Sequence, residues 1–304
     1  MKVLFVVSLF AACATTSSAN ATNTRVVLPG TGISIVPPLD VRIAPAGAAL
    51  IDSTGDVTFF FQIAESGKFF SSDPILPAIY PHLVQPIKTS NYVGELKKRT
   101  RAVDRGGYDG WALFLRHANK ELLVTAMYTG NSPERFQSLQ DSLSSVRWED
   151  SPVNQYAAAG FQLAPTGMKL VKAGMGALSF NQTGEVSPSN PSLLVAALPV
   201  ANQRAQALVS IDGCQDVMKQ GFPAGPYEAP RVSHFGNYQV CEAWSKANGR
   251  NLYVGFAAFK NGTLLQIMGD SGTENFQKQL AVFRAAVANI TLLDRQKGMA
   301  SERH

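Results

Sequence analysis

Residues 111–146 read WALFLRHANKELLVTAMYTGNSPERFQSLQDSLSSV, and residues 254–290 read VGFAAFKNGTLLQIMGDSGTENFQKQLAVFRAAVANI. The two stretches align: Asn119 with Asn261, Leu122-Leu123 with Leu264-Leu265, Met127 with Met268, and Phe136-Gln137 with Phe276-Gln277. The offset stays between 140 and 142 residues, so two short gaps reconcile them. Each copy runs apolar strand, polar turn, apolar strand, cap and amphipathic helix. A unit that recurs at this spacing predicts two related domains in tandem.

Working outward, the turn at His117-Ala118-Asn119-Lys120 is matched by Lys260-Asn261-Gly262. An earlier turn, Asp104-Arg105-Gly106-Gly107, is matched by Lys246-Ala247-Asn248-Gly249, where Asn-Gly favours a tight hairpin. Three strands joined by short turns make an antiparallel meander. The helix closing the first copy opens on Ser132 as cap and Pro133 at its first position, and it stacks Phe136, Leu139, Leu143 and Val146 on one stripe. Phe276, Leu280, Phe283, Val287 and Ile290 form the same stripe in the second copy. One apolar face per helix predicts that each helix lies across its own sheet.

Further upstream, Gly160-Phe161-Gln162-Leu163-Ala164-Pro165 echoes Gly32-Ile33-Ser34-Ile35-Val36-Pro37, and 193–200 (LLVAALPV) stands where 57–63 (VTFFFQI) stood. The latter reads as a central strand buried on both faces. Pro74, Pro77 and Pro81 break 71–84 into turns. Leu208–Ile211 reads as a short strand, and Cys214–Gln220 as a helical turn. Lys97, Lys98, Arg99 and Arg101 crowd one segment, 92–103, which reads as a solvated edge strand or as a contact for an acidic partner.

This order of elements resembles the PsbP-like fold, over Gly32–Trp148 and Gly160–Leu293. The resemblance rests on the strand meander, the Gly-rich turns and a capped terminal helix such as SPERFQSLQDSLSSVRW. It implies an α+β protein of two tandem domains, each an antiparallel sheet with a C-terminal helix packed on it, and an accessory role exercised by binding. The expected division is 1–21 signal peptide, 22–150 first domain, 157–293 second domain and 294–304 polar tail.

The N-terminus supports export. Lys2 precedes an apolar run from Val3 to Ala14, and Ala19-Asn20-Ala21 is a cleavage-type ending. Phe10-Ala11-Ala12-Cys13 resembles a lipoprotein box, which would anchor the chain through Cys13, although Phe10 suits it poorly. No later stretch is long and apolar enough to span a bilayer. Losing residues 1–21 removes one charge, Lys2, so +5 becomes +4, too dilute for nucleic-acid binding. Charged residues make up 16% of the chain and apolar ones 45%, so a sizeable core is available. The two remaining cysteines, Cys214 and Cys241, predict one disulfide in an oxidising compartment.

Chemistry has two candidate sources. Gly269-Asp270-Ser271-Gly272 resembles the serine-nucleophile segment of trypsin-like proteases, with His117 or His234 as base. The same residues fit a helix cap, Ser271-Gly272-Thr273-Glu274, which is the preferred reading. Asp52, Asp56, Asp212 and Asp216 are turn or loop residues that could serve a glycosidase only by assembly from distant segments. No histidine or cysteine spacing suits a metal, and nothing implies a cofactor. Trp111, Trp148, Trp244 and Phe59–Phe61 read as core; Trp148 and Tyr156, if exposed at the boundary, would be partner contacts. The expectation is therefore a periplasmic or secreted, non-catalytic binding or accessory protein of the envelope. It would meet a protein partner or small ligand in a groove between its domains; the alternative is a secreted hydrolase using Ser271 or scattered carboxylates.

Overall fold

The computed structural model describes residues 24–47, 49–65, 80, 82–88, 92–99, 109–130, 132–149, 152–174, 176–185, 190–200, 202–221, 230–247, 250–272 and 275–293. The expected signal segment with Cys13, Pro74, Pro77 and Pro81, Arg101, the turn at 104–107, Asn248-Gly249, Thr273-Glu274 and the tail 294–304 lie outside these residues.

The first half contains β1 (Val26–Leu28), β2 (Ile33–Ile35), β3 (Arg42–Ile43), β4 (Ala49–Ile51), β5 (Val57–Glu65), β6 (His82–Lys88), β7 (Val93–Arg99), β8 (Asp109–His117), β9 (Lys120–Tyr128), helix α1 (Pro133–Ser144) and β10 (Arg147–Trp148). The second contains α2 (Gln155–Ala159), β11 (Phe161–Gln162), β12 (Lys169–Gly174), β13 (Ala177–Asn181), β14 (Ser192–Leu198), α3 (Asn202–Leu208), α4 (Ile211–Gly221), β15 (Arg231–Phe235), β16 (Tyr238–Ala247), β17 (Arg250–Phe259), β18 (Leu264–Asp270), α5 (Phe276–Ala288) and β19 (Thr291–Leu292). Each half builds a seven-stranded antiparallel sheet, ordered β3-β4-β5-β9-β8-β7-β6 and β12-β13-β14-β18-β17-β16-β15. Both follow one path: three strands inward from one edge, then a meander from the other edge that ends beside the third. The tandem plan is thus present, in a protein dominated by sheet.

Small ladders repeat the plan. Ile33 pairs with Trp148 as Phe161 pairs with Leu292. The Glu149 N–H donates to the Gly32 carbonyl as Leu293 N–H donates to Gly160. The Gly32 and Gly160 segments are therefore true counterparts. The strand–helix alignment needs revision. Leu122 faces the core under α1, whereas Leu264 faces away from α5; its neighbour Leu265 is the inward residue. Strand side chains alternate with period 2, so a one-residue slip changes the face. The slip enters at the hairpin: Ala118-Asn119 is a two-residue connection, while Lys260-Asn261-Gly262 uses three, with Gly262 at φ +88°. On the helices, Leu139 and Leu143 sit in the first core as Phe283 and Val287 sit in the second, one turn away from the Phe136–Phe276 match.

The expected α+β class gives way to one dominated by antiparallel sheet, with α1 and α5 contributing to the two cores. Leu139 and Leu143 are buried with Phe59, Phe61, Leu96, Trp111 and Val124, and the Phe136 ring meets Trp111 at 3.6 Å between centroids. In the second half Phe283 and Val287 join Phe180, Val195, Tyr253 and Ile267. Gly269 is required here, because a Cβ would fall 2.6 Å from the Phe283 ring. Ser132 caps α1 by accepting the Arg135 N–H, with Pro133 in its first turn. For α5 the capping residue is Asn275, which accepts the Lys278 N–H, and not Ser271.

The second sheet also carries helices on its other face. Ala205, Val209, Cys214 and Met218 pack against Cys241, Ala243, Val254 and Phe256. The short strand expected at Leu208–Ile211 is the α3–α4 corner, and the helical turn at Cys214–Gln220 is part of an 11-residue helix. A brief apolar run fits a buried helix corner as well as a strand, so periodicity alone could not choose. Ser210 Oγ accepts the Gly213 N–H and starts α4. Strand β5 is central, but Gln62 is exposed, so it is not buried on both faces throughout.

The junction is closely packed. Helix α2, capped by Asn154, occupies the expected boundary and docks on the first half: Asn154 N–H donates to Gly30, and a Cβ on Gly30 would meet the Asn154 carbonyl oxygen at 2.6 Å. Gly47 N–H donates to the Ala159 carbonyl at 2.7 Å, and a Gly47 Cβ would lie 2.9 Å from Ala197 Cβ. Ala46 is part of the second core.

The Cys214–Cys241 disulfide, with Cα atoms 5.3 Å apart, ties α4 to β16 across a separation of 27 residues. Closing a loop of that length contributes about 3.5 kcal/mol in the chain-entropy model. A Cys214→Ala/Cys241→Ala variant is expected to unfold at a markedly lower urea concentration, by about that free energy. An unchanged midpoint would show that the bridge adds nothing.

Candidate functional site

The residues proposed for chemistry do not come together. Ser271 is fully buried, its Oγ has no hydrogen-bond partner among the described residues, and its N–H donates to the Asn251 carbonyl. His117 belongs to β8 of the first half, 6.0 Å edge-on to Trp148, while His234 lies on β15. Asp52 closes a turn onto the Gly55 N–H, Asp56 accepts from Thr54 and Thr129, and Asp212 and Asp216 are on α4. Among the described residues no group of three His, Cys, Asp or Glu could hold a metal ion, and no helix is long and apolar enough to cross a membrane.

The expected partner contacts also scatter. Lys97 pairs with Glu95 at 2.8 Å and lies over the Phe114 ring, while Lys98 lies over Phe136 on the opposite face. Neighbouring strand residues point apart, so these two lysines form no single patch. Nor is β7 an edge: β6 lies outside it, a strand that begins directly after Pro81 and that the proline spacing concealed. The Arg99 side chain and Arg101 lie outside the described residues. Trp148 is buried in the first core, which removes it as a contact, whereas Tyr156 on α2 is exposed.

A different locus combines exposure with organised polarity. An unpaired sheet edge invites another chain, and proteins commonly protect such edges by shortening, bulges, proline or lysine. Strand β3 is two residues long. Strand β12 carries Lys169 and Lys172 and a bulge at Leu170/Lys172. Strand β6 carries Pro86, Lys88 and a bulge at Leu83/Gln85. Strand β15, with the sequence RVSHF, has none of these, and its register with β16 is regular from Arg231 to Phe235. Beside it lies a half-open depression of about 500 Å³ walled by Val209, Ile211, Val232 and His234. The Ile211 side chain at its mouth is 71% exposed.

On the α5 side of the same edge sits Glu242, whose carboxylate is wholly buried. Oε1 accepts from Ser233 Oγ at 2.6 Å and Arg231 Nε at 3.2 Å, and Arg284 Nη2 lies 3.0 Å from it as an ion pair. Oε2 accepts from Tyr253 OH at 3.0 Å and Arg284 Nε at 3.1 Å. Four hydrogen bonds, two on each oxygen, fill a carboxylate's lone pairs, which is what a charge taken out of water requires. The network joins β15, β16, β17 and α5. Strand pairing shows its origin: Glu242 stands opposite Gly255 as Leu96 stands opposite Leu113 in the first half. There the edge strand is tied to the helix by a neutral bond, Gln85 Nε2 to Ser144 Oγ at 3.1 Å. No motif marks Glu242; only the break it makes in the apolar alternation Tyr238, Val240, Trp244 could have drawn notice.

No family model and no curated protein matches this chain. Similar solved structures are distant. One is a crystal structure of a protein from Bacteroides thetaiotaomicron VPI-5482, with 11% identity over 46% of this chain and 47% of that one, and a TM-score of 0.28. This chain thus spans about half of that protein's length. Another describes a dehydratase of the borrelidin and fluvirucin polyketide synthases, with 12% identity, 75% and 94% coverage, and a TM-score of 0.16. A third is MucB in complex with MucA(peri), with 12% identity, 86% and 88% coverage, and a TM-score of 0.14.

Burial, and then the Glu242 carboxylate, hold the Tyr253 phenol well above its usual range. The folded state keeps a proton that the unfolded chain releases near pH ~10. Its contribution is complete below that pH and is lost as pH rises toward the folded value. Urea midpoints measured above pH ~10 should therefore fall less steeply for Tyr253→Phe than for the parent. The variant starts about 1–3 kcal/mol less stable from the lost charge-assisted bond. Equal slopes would contradict the buried phenol. Glu242→Gln, which leaves two arginines around a neutral amide, should cost about 3–5 kcal/mol in the same measurement.

Proposed function

We propose that the protein is an exported, non-catalytic accessory protein of the cell envelope that captures an extended segment of a partner protein on β15. The supporting observation is the character of that edge: among the described residues, of the four edges of the two seven-stranded sheets it alone is regular, of useful length and without lysine or proline. Strand addition supplies affinity through main-chain hydrogen bonds and specificity through pockets for alternate side chains. The depression beside Val232 and His234 can take the side chains that face α4. The disulfide fixes α4 against the sheet and so holds that wall in place, and together with the N-terminal apolar segment it suits an oxidising compartment. The burial of Ser271 weighs against the hydrolase alternative.

Panning a random peptide display library against the full chain tests this reading. Selected peptides should slow hydrogen exchange of the β15 amides, and Ile211→Lys with His234→Lys, both exposed sites, should weaken them at least tenfold without lowering the melting temperature. Peptides that protect another region, or a failure to select any, would defeat the proposal.

A further inference from the structure

We infer that Arg231 and Arg284 form a receptor for a carboxylate on the captured segment, so that the ligand is an acidic extended peptide; this rests on strand capture at β15. The inference starts from a charge imbalance. Glu242 brings one negative charge into the sheet–helix layer and meets two guanidinium groups. One arginine would neutralise it, and the first half ties its edge strand to its helix by a neutral bond, Gln85 to Ser144. Both guanidiniums reach the same oxygen, Oε1, so they sit side by side. Their side chains are 47% and 38% exposed, so the surplus positive charge faces solvent.

The donors left over have a definite arrangement. Arg231 gives Glu242 its Nε, and among the described residues neither of its Nη groups has a protein partner. The guanidinium carbon lies over the Trp244 ring, 4.3 Å from its centroid. A guanidinium anchored through Nε and lying over an indole presents the two-nitrogen fork that binds a carboxylate bidentately. Anchoring also removes the rotamer entropy that a free arginine would lose on binding. Arg231 and Ser233 belong to β15 and reach Glu242 on the α5 side, while Val232 and His234 line the depression, whose wall Arg231 also borders. An added strand would therefore place alternate residues over the depression, with Val209, Ile211 and Val232 in its wall, and over the two arginines. The segment selected should be apolar on one face and carry Asp or Glu at a fixed position on the other.

The test pans one library against the parent, Arg231→Lys and Arg231→Gln/Arg284→Gln. The lysine variant keeps the charge on Glu242 and the fold, but lacks the fork. The parent should select an acidic residue in fixed register, and replacing it by its amide should weaken binding about tenfold to a hundredfold. That preference should shrink with added salt and be largely lost in Arg231→Lys. Peptides that protect β15 but show no acidic preference, or the same preference in all three proteins, would overturn the receptor and leave strand capture standing. If no peptide is selected, strand capture falls, and titration with acetate and with inorganic phosphate decides the receptor. Saturable change in Trp244 fluorescence that Arg231→Lys abolishes would uphold an anion site. No change, or one identical in Arg231→Lys, would overturn it.

Discussion

Everything in this molecule depends on laying one amphipathic helix across one twisted sheet, twice. The contact is aromatic in both halves: Trp111 against Phe136 in the first, Tyr253 near Phe283 in the second. Strands of period 2 and a helix of period 3.6 can share a dry layer only where their apolar faces coincide. That requirement fixes which residues of β8, β9, β17 and β18 turn inward, and it tolerates little slippage. The extra residue in the Lys260-Asn261-Gly262 turn shifts the second copy by one position, and the inward set moves from Leu264 to Leu265.

The repeat, the hairpins, the helix stripes and the disulfide could be read directly, because each rests on local chemistry: turn residues, caps, alternation, an even cysteine pair. The frame between the copies was less legible. Matching letters such as Leu122 with Leu264 score well in a line of text, while the fold matches faces. The α3–α4 pair was hidden for a related reason, since Leu208–Ile211 is apolar and too short to show its period. Ser271 carried the most suggestive local sequence and proved to be interior, with Asn275 doing the capping.

The candidate site was the least legible part. Arg231, Glu242 and Arg284 are separated along the chain and fit no motif. They meet because β15 pairs with β16 and α5 crosses above them. Long-range pairing of this kind is invisible to spacing arguments. It becomes visible by comparison within the molecule: the position of Leu96, an ordinary core residue, is occupied by Glu242 in the other half. One half keeps the plain version of the architecture, and the other carries the departure, on the same end of the sheet as its unguarded edge.

The contact at Ala46 and Gly47 has a bearing on how the chain matures. A residue from the N-terminal half completes the interior of the C-terminal half, and the Gly47 N–H holds the end of α2 through Ala159. During synthesis the earlier half emerges first, with a piece of its successor's interior still uncovered. The interior of the later half closes only with that residue in place, so the two halves are not beads on a string.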